Sequence, residues 1–150
     1  MNPLEQYKHT VNSGHWIADP MQLAVMEHLQ AIYEGMQKQG LYIWGSVGIG
    51  KTDLMDIFYQ SLPEASKKLR LHFHRFMREV HRELTRLQGQ KNPLKIIAEN
   101  FSKQAKIICF DEFVVTDITD AMLLGELFKY LFEKNIILIA TSNTAPDGLY

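Results

Sequence analysis

The chain has 150 residues, 46% of them hydrophobic and 22% charged, a length and balance that support one globular domain with a real core and exclude disorder. Its one cysteine, Cys109, rules out an intramolecular disulfide and fits a reducing compartment. No apolar run approaches the roughly 18 residues a membrane span needs, and no basic, signal-like stretch opens the chain, so a soluble cytoplasmic protein is expected. The formal net charge of −1 hides an asymmetry: residues 64–95 carry nine Lys/Arg against Glu64, Glu79 and Glu83, a balance of +6 that leaves −7 on the rest. Such a segment either meets an acidic partner or nucleic acid, or is a solvated helix face with paired charges.

Residues 1–18 are polar and weakly patterned, and read as a flexible N-terminal arm. Asp19-Pro20 reads as N-cap and first helical position. Val25, Leu29, Ile32, Tyr33 and Met36 follow at helical spacing, with Gly40 after the last turn. "LYIW" (41–44) is a short strand, and Lys51 to about Gln60 a helix burying Leu54, Ile57 and Phe58. "LRLHFH" (69–74) alternates with period two, as a strand does. Phe76, Val80, Leu84 and Leu87 then make one stripe of a helix ending near Gly89, and Pro93 precedes a shorter helix carrying Leu94, Ile97, Ala98 and Phe101. "KIICFDEF" (106–113) is a nearly continuous apolar run ending in acids, the pattern of a buried parallel strand. A helix over 118–132 and a second buried strand, "IILIATSN" (136–143), complete the series. Strands alternating with helices indicate an α/β domain with a mainly parallel sheet.

Gly45, Ser46, Val47, Gly48, Ile49, Gly50, Lys51 and Thr52 fit G-x-x-x-x-G-K-[ST], with the strand before and the helix after that this motif requires. Its glycines let successive N–H groups converge on phosphate oxygens, and the following helix adds the positive end of its dipole. Lys51 is expected to bridge the outer phosphates and the Thr52 hydroxyl to ligate Mg²⁺. Asp111, at the carboxyl end of a buried strand, is the expected second metal ligand, direct or through water. Glu112 beside it can deprotonate a water attacking the γ-phosphate. Asn143 ends the next strand on the same sheet edge and can sense the γ-phosphate. His72 and His74 would share one face of a strand, as a metal pair or as a helix- or substrate-facing pair. Cys109 reads as a small core residue.

In chain order, "GSVGIGKTDLMDIFY", "LRLHFHRFMREVH", "CFDEFVVTDITDAMLLG" and "ATSNTAPDGLY" resemble the ZapE-like AAA+ ATPases, a branch with a bacterial Z-ring-associated division protein and mitochondrial relatives linked to protein quality control. The resemblance covers about residues 19–150. It implies a three-layer P-loop NTPase fold, ATP and Mg²⁺ as cofactors, Lys51, Glu112 and Asn143 as catalytic residues, and Thr52 and Asp111 as metal ligands. It also implies a protein partner such as the division ring, a homo-oligomer when full-length, and a place in the cytoplasm or at the division site. The family usually has a basic residue where Ile49 stands and a smaller one at Ser46. An AAA+ core orders five parallel strands 5-1-4-3-2 before a helical lid, and four are counted here. The expectation is therefore an incomplete core over 19–150, truncated before the fifth strand, the arginine finger and the lid, with low turnover of its own. A nucleotide-gated binding or scaffold module and a helicase-loader-like nucleic-acid-associated ATPase are the alternatives; a small-molecule kinase is disfavoured by Glu112.

Overall fold

The computed structural model describes residues 2–14, 20–36, 40–44, 50–63 and 67–143. Helices α1 (Pro3–Asn12) and α2 (Pro20–Tyr33) precede strand β1 (Leu41–Trp44), helix α3 (Lys51–Ser61) and strand β2 (Lys68–His72). Helices α4 (Phe73–Arg86) and α5 (Pro93–Gln104) lead to strand β3 (Ile107–Asp111), helix α6 (Ile118–Glu133) and strand β4 (Ile137–Ser142). The four strands form one parallel sheet in the order β1-β4-β3-β2, as expected for an α/β P-loop architecture, and among the described residues β1 is an edge strand.

Because side chains alternate along a strand, the sheet has two distinct faces. Ile108, Phe110, Leu138 and Ala140 point toward α4, α5 and α6 and join Phe73, Phe76, Phe101, Leu127 and Leu131 in one core. Ile43, Cys109 and Ile139 point the other way, into a core shared with Tyr7, Met26, Leu29, Leu54, Met55 and Phe58 of α1, α2 and α3. The sheet is thus the middle of three layers. The chain crosses between β1 and β2 on one face through α3, and between later strands on the other. The crevice outside the carboxyl ends of the strands lies where these directions diverge.

Three local expectations are corrected. Residues 3–12 are not a loose arm but helix α1, capped by Asn2, whose Oδ1 accepts the Glu5 N–H at 2.8 Å. Leu4, Tyr7 and Val11 stand three and four apart, so they form one apolar stripe that docks on the neighbouring core. Tyr7 is buried and its hydroxyl reaches Gln22 Oε1 at 3.2 Å. Next, α2 ends at Tyr33 rather than running toward Gly40. Gly35 takes a φ of 76°, its N–H reaches the Ile32 carbonyl, and the Met36 N–H reaches that of Ala31, which closes the helix. Gly40 serves a different purpose: a Cβ there would lie 2.1 Å from the Leu138 carbonyl oxygen, so only glycine lets β1 start against β4.

The third correction is at β2, which stops at His72 instead of His74. Phe73 belongs to two patterns at once. It continues the period-two run of Leu69 and Leu71, and it opens the helical stripe of Phe73, Phe76, Met77 and Val80, all buried. Helix α4 takes it, with His72 as N-cap. The basic residues of α4 are partly answered within the helix: Arg82 Nη1 lies 3.0 Å from Glu79 Oε2, and Arg86 Nε 2.7 Å from Glu83 Oε2. These exposed i,i+3 pairs fit the solvated-face reading and add little stability each. None of the helices described is long and apolar enough to cross a membrane.

Candidate functional site

At the carboxyl edge of the sheet lies a cleft of about 380 Å³ lined by Gly50, Lys51, Thr52, Asp53, Glu112, Thr141, Ser142 and Asn143. It brings together five of the sequence-predicted residues from three separate elements. Gly45, Ser46, Val47, Gly48 and Ile49 lie outside the described residues. Gly50 caps α3 with a φ of 76°, a left-handed conformation that glycine adopts at no steric cost. Lys51 follows it, with only 8% of its surface exposed, while Thr52 and Asp53 face outward. A buried lysine at a helix N-terminus concentrates positive charge where the orphan N–H groups already point.

The opposite wall is made where β3 ends. Asp111 closes the strand, and Glu112 then turns the chain with a φ of 55°. A non-glycine residue in that region stores strain of order 1–2 kcal/mol, and β4 holds it there. The Glu112 N–H approaches Thr141 Oγ1 at 3.4 Å, the Phe113 N–H reaches the Thr141 carbonyl at 2.8 Å, and Ser142 Oγ donates to the Phe113 carbonyl at 2.5 Å. Thr141 and Ser142 are buried and Asn143, next in line, is exposed at the mouth. The strained turn therefore presents the Glu112 carboxylate to the cleft.

Two further residues, whose roles sequence reasoning missed, govern those carboxylates. Arg70, in the middle of β2, sits opposite Cys109 in register and faces α3. Its Nε lies 2.8 Å from Asp111 Oδ2 and its Nη2 3.0 Å from Asp111 Oδ1, a bidentate fork. Its Nη1 makes an ion pair with Asp56 of α3. Burial disfavours the guanidinium charge, but the hydrogen bonds to Asp111 and Asp56 outweigh it and hold the pKa above its ordinary value. The signal for Arg70 was present as a cation between Leu69 and Leu71 in the middle of a short strand. Its partner is 41 residues away, so only register reveals it.

His72, at the end of β2, places Nε2 2.8 Å from Glu112 Oε2. Its Nδ1 side meets both the His74 N–H, at 3.4 Å, and His74 Nδ1. A carboxylate can only accept, so His72 Nε2 donates to Glu112 and its Nδ1 accepts when the ring is neutral. His72 and His74 do not share a strand face as expected; they meet because α4 begins between them. Among the described residues no group of three or more His, Cys, Asp or Glu could hold a metal ion, which leaves the histidine pair without a third ligand of that kind. Cys109 is buried, and burial pushes its thiol up to about 12. It is a core residue, as expected.

Comparison with known proteins identifies the family. The AFG1-like ATPase family matches residues 1–150. The cell division protein ZapE of Escherichia coli K12 is 46% identical over 180 aligned residues, covering 100% of this chain and 48% of that protein. Lactation elevated protein 1 homolog B of Danio rerio is 43% identical over 123 residues, covering 75% of this chain and 24% of that protein. Among solved structures, AMPPCP-bound DnaA from Aquifex aeolicus superposes with a TM-score of 0.66 at 19% identity, over 90% of this chain and 43% of that one. At that identity the likeness speaks for the fold alone. The chain spans about half the length of its bacterial relative, and it belongs to the AFG1-like ATPase family.

Proposed function

We propose that this chain binds ATP with Mg²⁺ in the cleft between α3 and the ends of β3 and β4, and hydrolyses it. The observation that carries this reading is the cleft itself, which sets Lys51 and Thr52 at a helix N-terminus across from Glu112 and Asn143. The N-terminal N–H groups of α3 and the Lys51 ammonium would take the β- and γ-phosphate oxygens. The Thr52 hydroxyl and the Asp111 carboxylate are hard oxygen donors suited to Mg²⁺. Both Asp111 oxygens already accept from Arg70, and each retains a second lone pair, so the residues fit the ion. Bound there, Mg²⁺ would neutralise charge developing on the phosphates.

Glu112 is the general base. As a water oxygen bonds to the γ-phosphorus, one water proton passes to the Glu112 carboxylate. The bond from that phosphorus to the bridging oxygen breaks, leaving ADP and inorganic phosphate. The Asn143 amide hydrogen-bonds the γ-phosphate or the attacking water. One observation favours a second reading, a nucleotide-gated module with little turnover: Glu112 Oε2 is engaged by His72, so the base must break or share that bond to act.

By likeness to the division protein, the whole protein works on a protein partner such as the division ring, as a homo-oligomer in the cytoplasm. Titration with a fluorescent ATP analogue tests the nucleotide assignment. Lys51→Ala should weaken binding by about 10- to 100-fold, the worth of hydrogen bonds from a charged donor. Undiminished affinity would remove Lys51 from the phosphates and overturn the reading.

A further inference from the structure

Arg70 is the described side chain whose ion pairs join helix α3 to the end of β3. We propose that Arg70 is a positioning residue that sets the separation between Thr52 and Asp111, the two oxygen donors assigned above to Mg²⁺. The proposal rests on that reading of the metal site and deepens it.

Thr52 and Asp111 stand on different elements, which the core of Leu54, Met55, Phe58 and Cys109 packs together without reaching the Asp111 carboxylate. Asp56 follows Thr52 by four residues and lies on the same helix face, one turn further on. The guanidinium is planar, and its nitrogens lie in a fixed fork. Two of them hold both oxygens of Asp111, and the third holds Asp56. A rotation of the Asp111 carboxylate, or a slide of α3 along the sheet, must break at least one of these bonds. The side chains of Arg70 and Asp111 are 19% and 22% exposed and that of Asp56 41%, so competing water is limited at the Asp111 end of the clamp.

The charge balance points the same way. One guanidinium between two carboxylates leaves the Arg70, Asp56 and Asp111 group itself with a net negative charge, the sign that favours a divalent cation. A lysine in its place would keep the charge but lose the fork, and this separates geometry from electrostatics. Hydrogen-bond partners of metal-ligating carboxylates typically contribute 10- to 100-fold to metal affinity. A merely structural ion pair has no such signature.

The test uses Mn²⁺ as the probe, its binding followed by the electron paramagnetic resonance signal of the free ion, with AMPPCP equimolar to the protein and the loss of signal to AMPPCP alone subtracted. Metal-free nucleotide affinity is measured separately in chelator. Arg70→Lys should weaken Mn²⁺ binding by about tenfold or more while leaving metal-free nucleotide affinity within about twofold. Asp56→Ala, which releases only the α3 end of the clamp, should weaken Mn²⁺ severalfold. Asp111→Asn should all but abolish it. If Asp111→Asn loses the metal but Arg70→Lys binds Mn²⁺ like the wild type, the clamp is wrong and the metal assignment stands. If Asp111→Asn also binds normally, both are wrong. Should Arg70→Lys not fold, Asp56→Ala decides: unchanged Mn²⁺ affinity there overturns the clamp.

Discussion

The two faces of the sheet are built from different materials, and strand β3 shows it within three residues. Phe110 enters a cluster of aromatic rings: its centroid lies 4.7 Å from that of Phe76, 5.7 Å from Phe73 and 6.1 Å from Phe128. On the other face, Cys109 and Asp111 flank it, the first in a smaller aliphatic core and the second in the grip of Arg70. One face supplies cohesion without direction, since ring packing is strong but tolerant. The other supplies direction through charge, which is costly to bury and so demands complete pairing. The division puts the rigid support behind the strand ends and the polar machinery in front of them. A functional site can be held firmly by a core that takes no part in its chemistry.

The contrast can be broken at its strong side first. Phe110→Ala, which removes a fully buried ring from the centre of the cluster, should cost about 3–5 kcal/mol of stability, read from urea denaturation. A loss below about 1 kcal/mol would mean the aromatic face is not the supporting one. The strained side predicts the opposite sign. Glu112→Gly relieves a left-handed residue at about 1–2 kcal/mol and adds about 0.5–1 kcal/mol of glycine chain entropy. Stability should therefore rise by about 0.5–1 kcal/mol even as the carboxylate is lost. A decrease of that size would show that the His72 contact outweighs the strain. The smallest effect concerns Cys109. With its thiol pushed up to about 12 by burial, the thiolate is scarce at pH 8, and a thiol reagent should label the native protein only as fast as it opens. Immediate labelling would contradict the burial of this face.

Most of the framework was legible because its signals are local. The apolar runs of β3 and β4 and the stripes of α5 and α6 each announce their element within a dozen residues. The phosphate-loop motif likewise marked Gly50, Lys51 and Thr52, which the structure sets at the mouth of the cleft. What escaped depends on competition or distance. Phe73 satisfied both a strand and a helix period, and helix packing against Phe76 and Phe110 decided for the helix. The Leu4, Tyr7 and Val11 stripe was readable but hidden among polar neighbours, and tertiary docking makes it a helix. Arg70 looked like a member of a basic segment, and His72 like half of a histidine pair on one strand face. Their meaning lies in the β2–β3 register, which pairs His72 with Asp111 and sets Arg70 within reach of the same carboxylate. No local pattern carries that information.

The proposed role of Glu112, as the base that converts nucleotide binding into hydrolysis, can be met directly by one measurement. Steady-state phosphate release at saturating ATP is compared between the wild type and Glu112→Gln, with ATP affinity measured in both. Glutamine keeps the shape of the side chain and a hydrogen-bonding oxygen but cannot take a proton. The account predicts that the variant binds ATP as before and releases phosphate about 10²- to 10⁴-fold more slowly. A wild-type rate in the variant would contradict it.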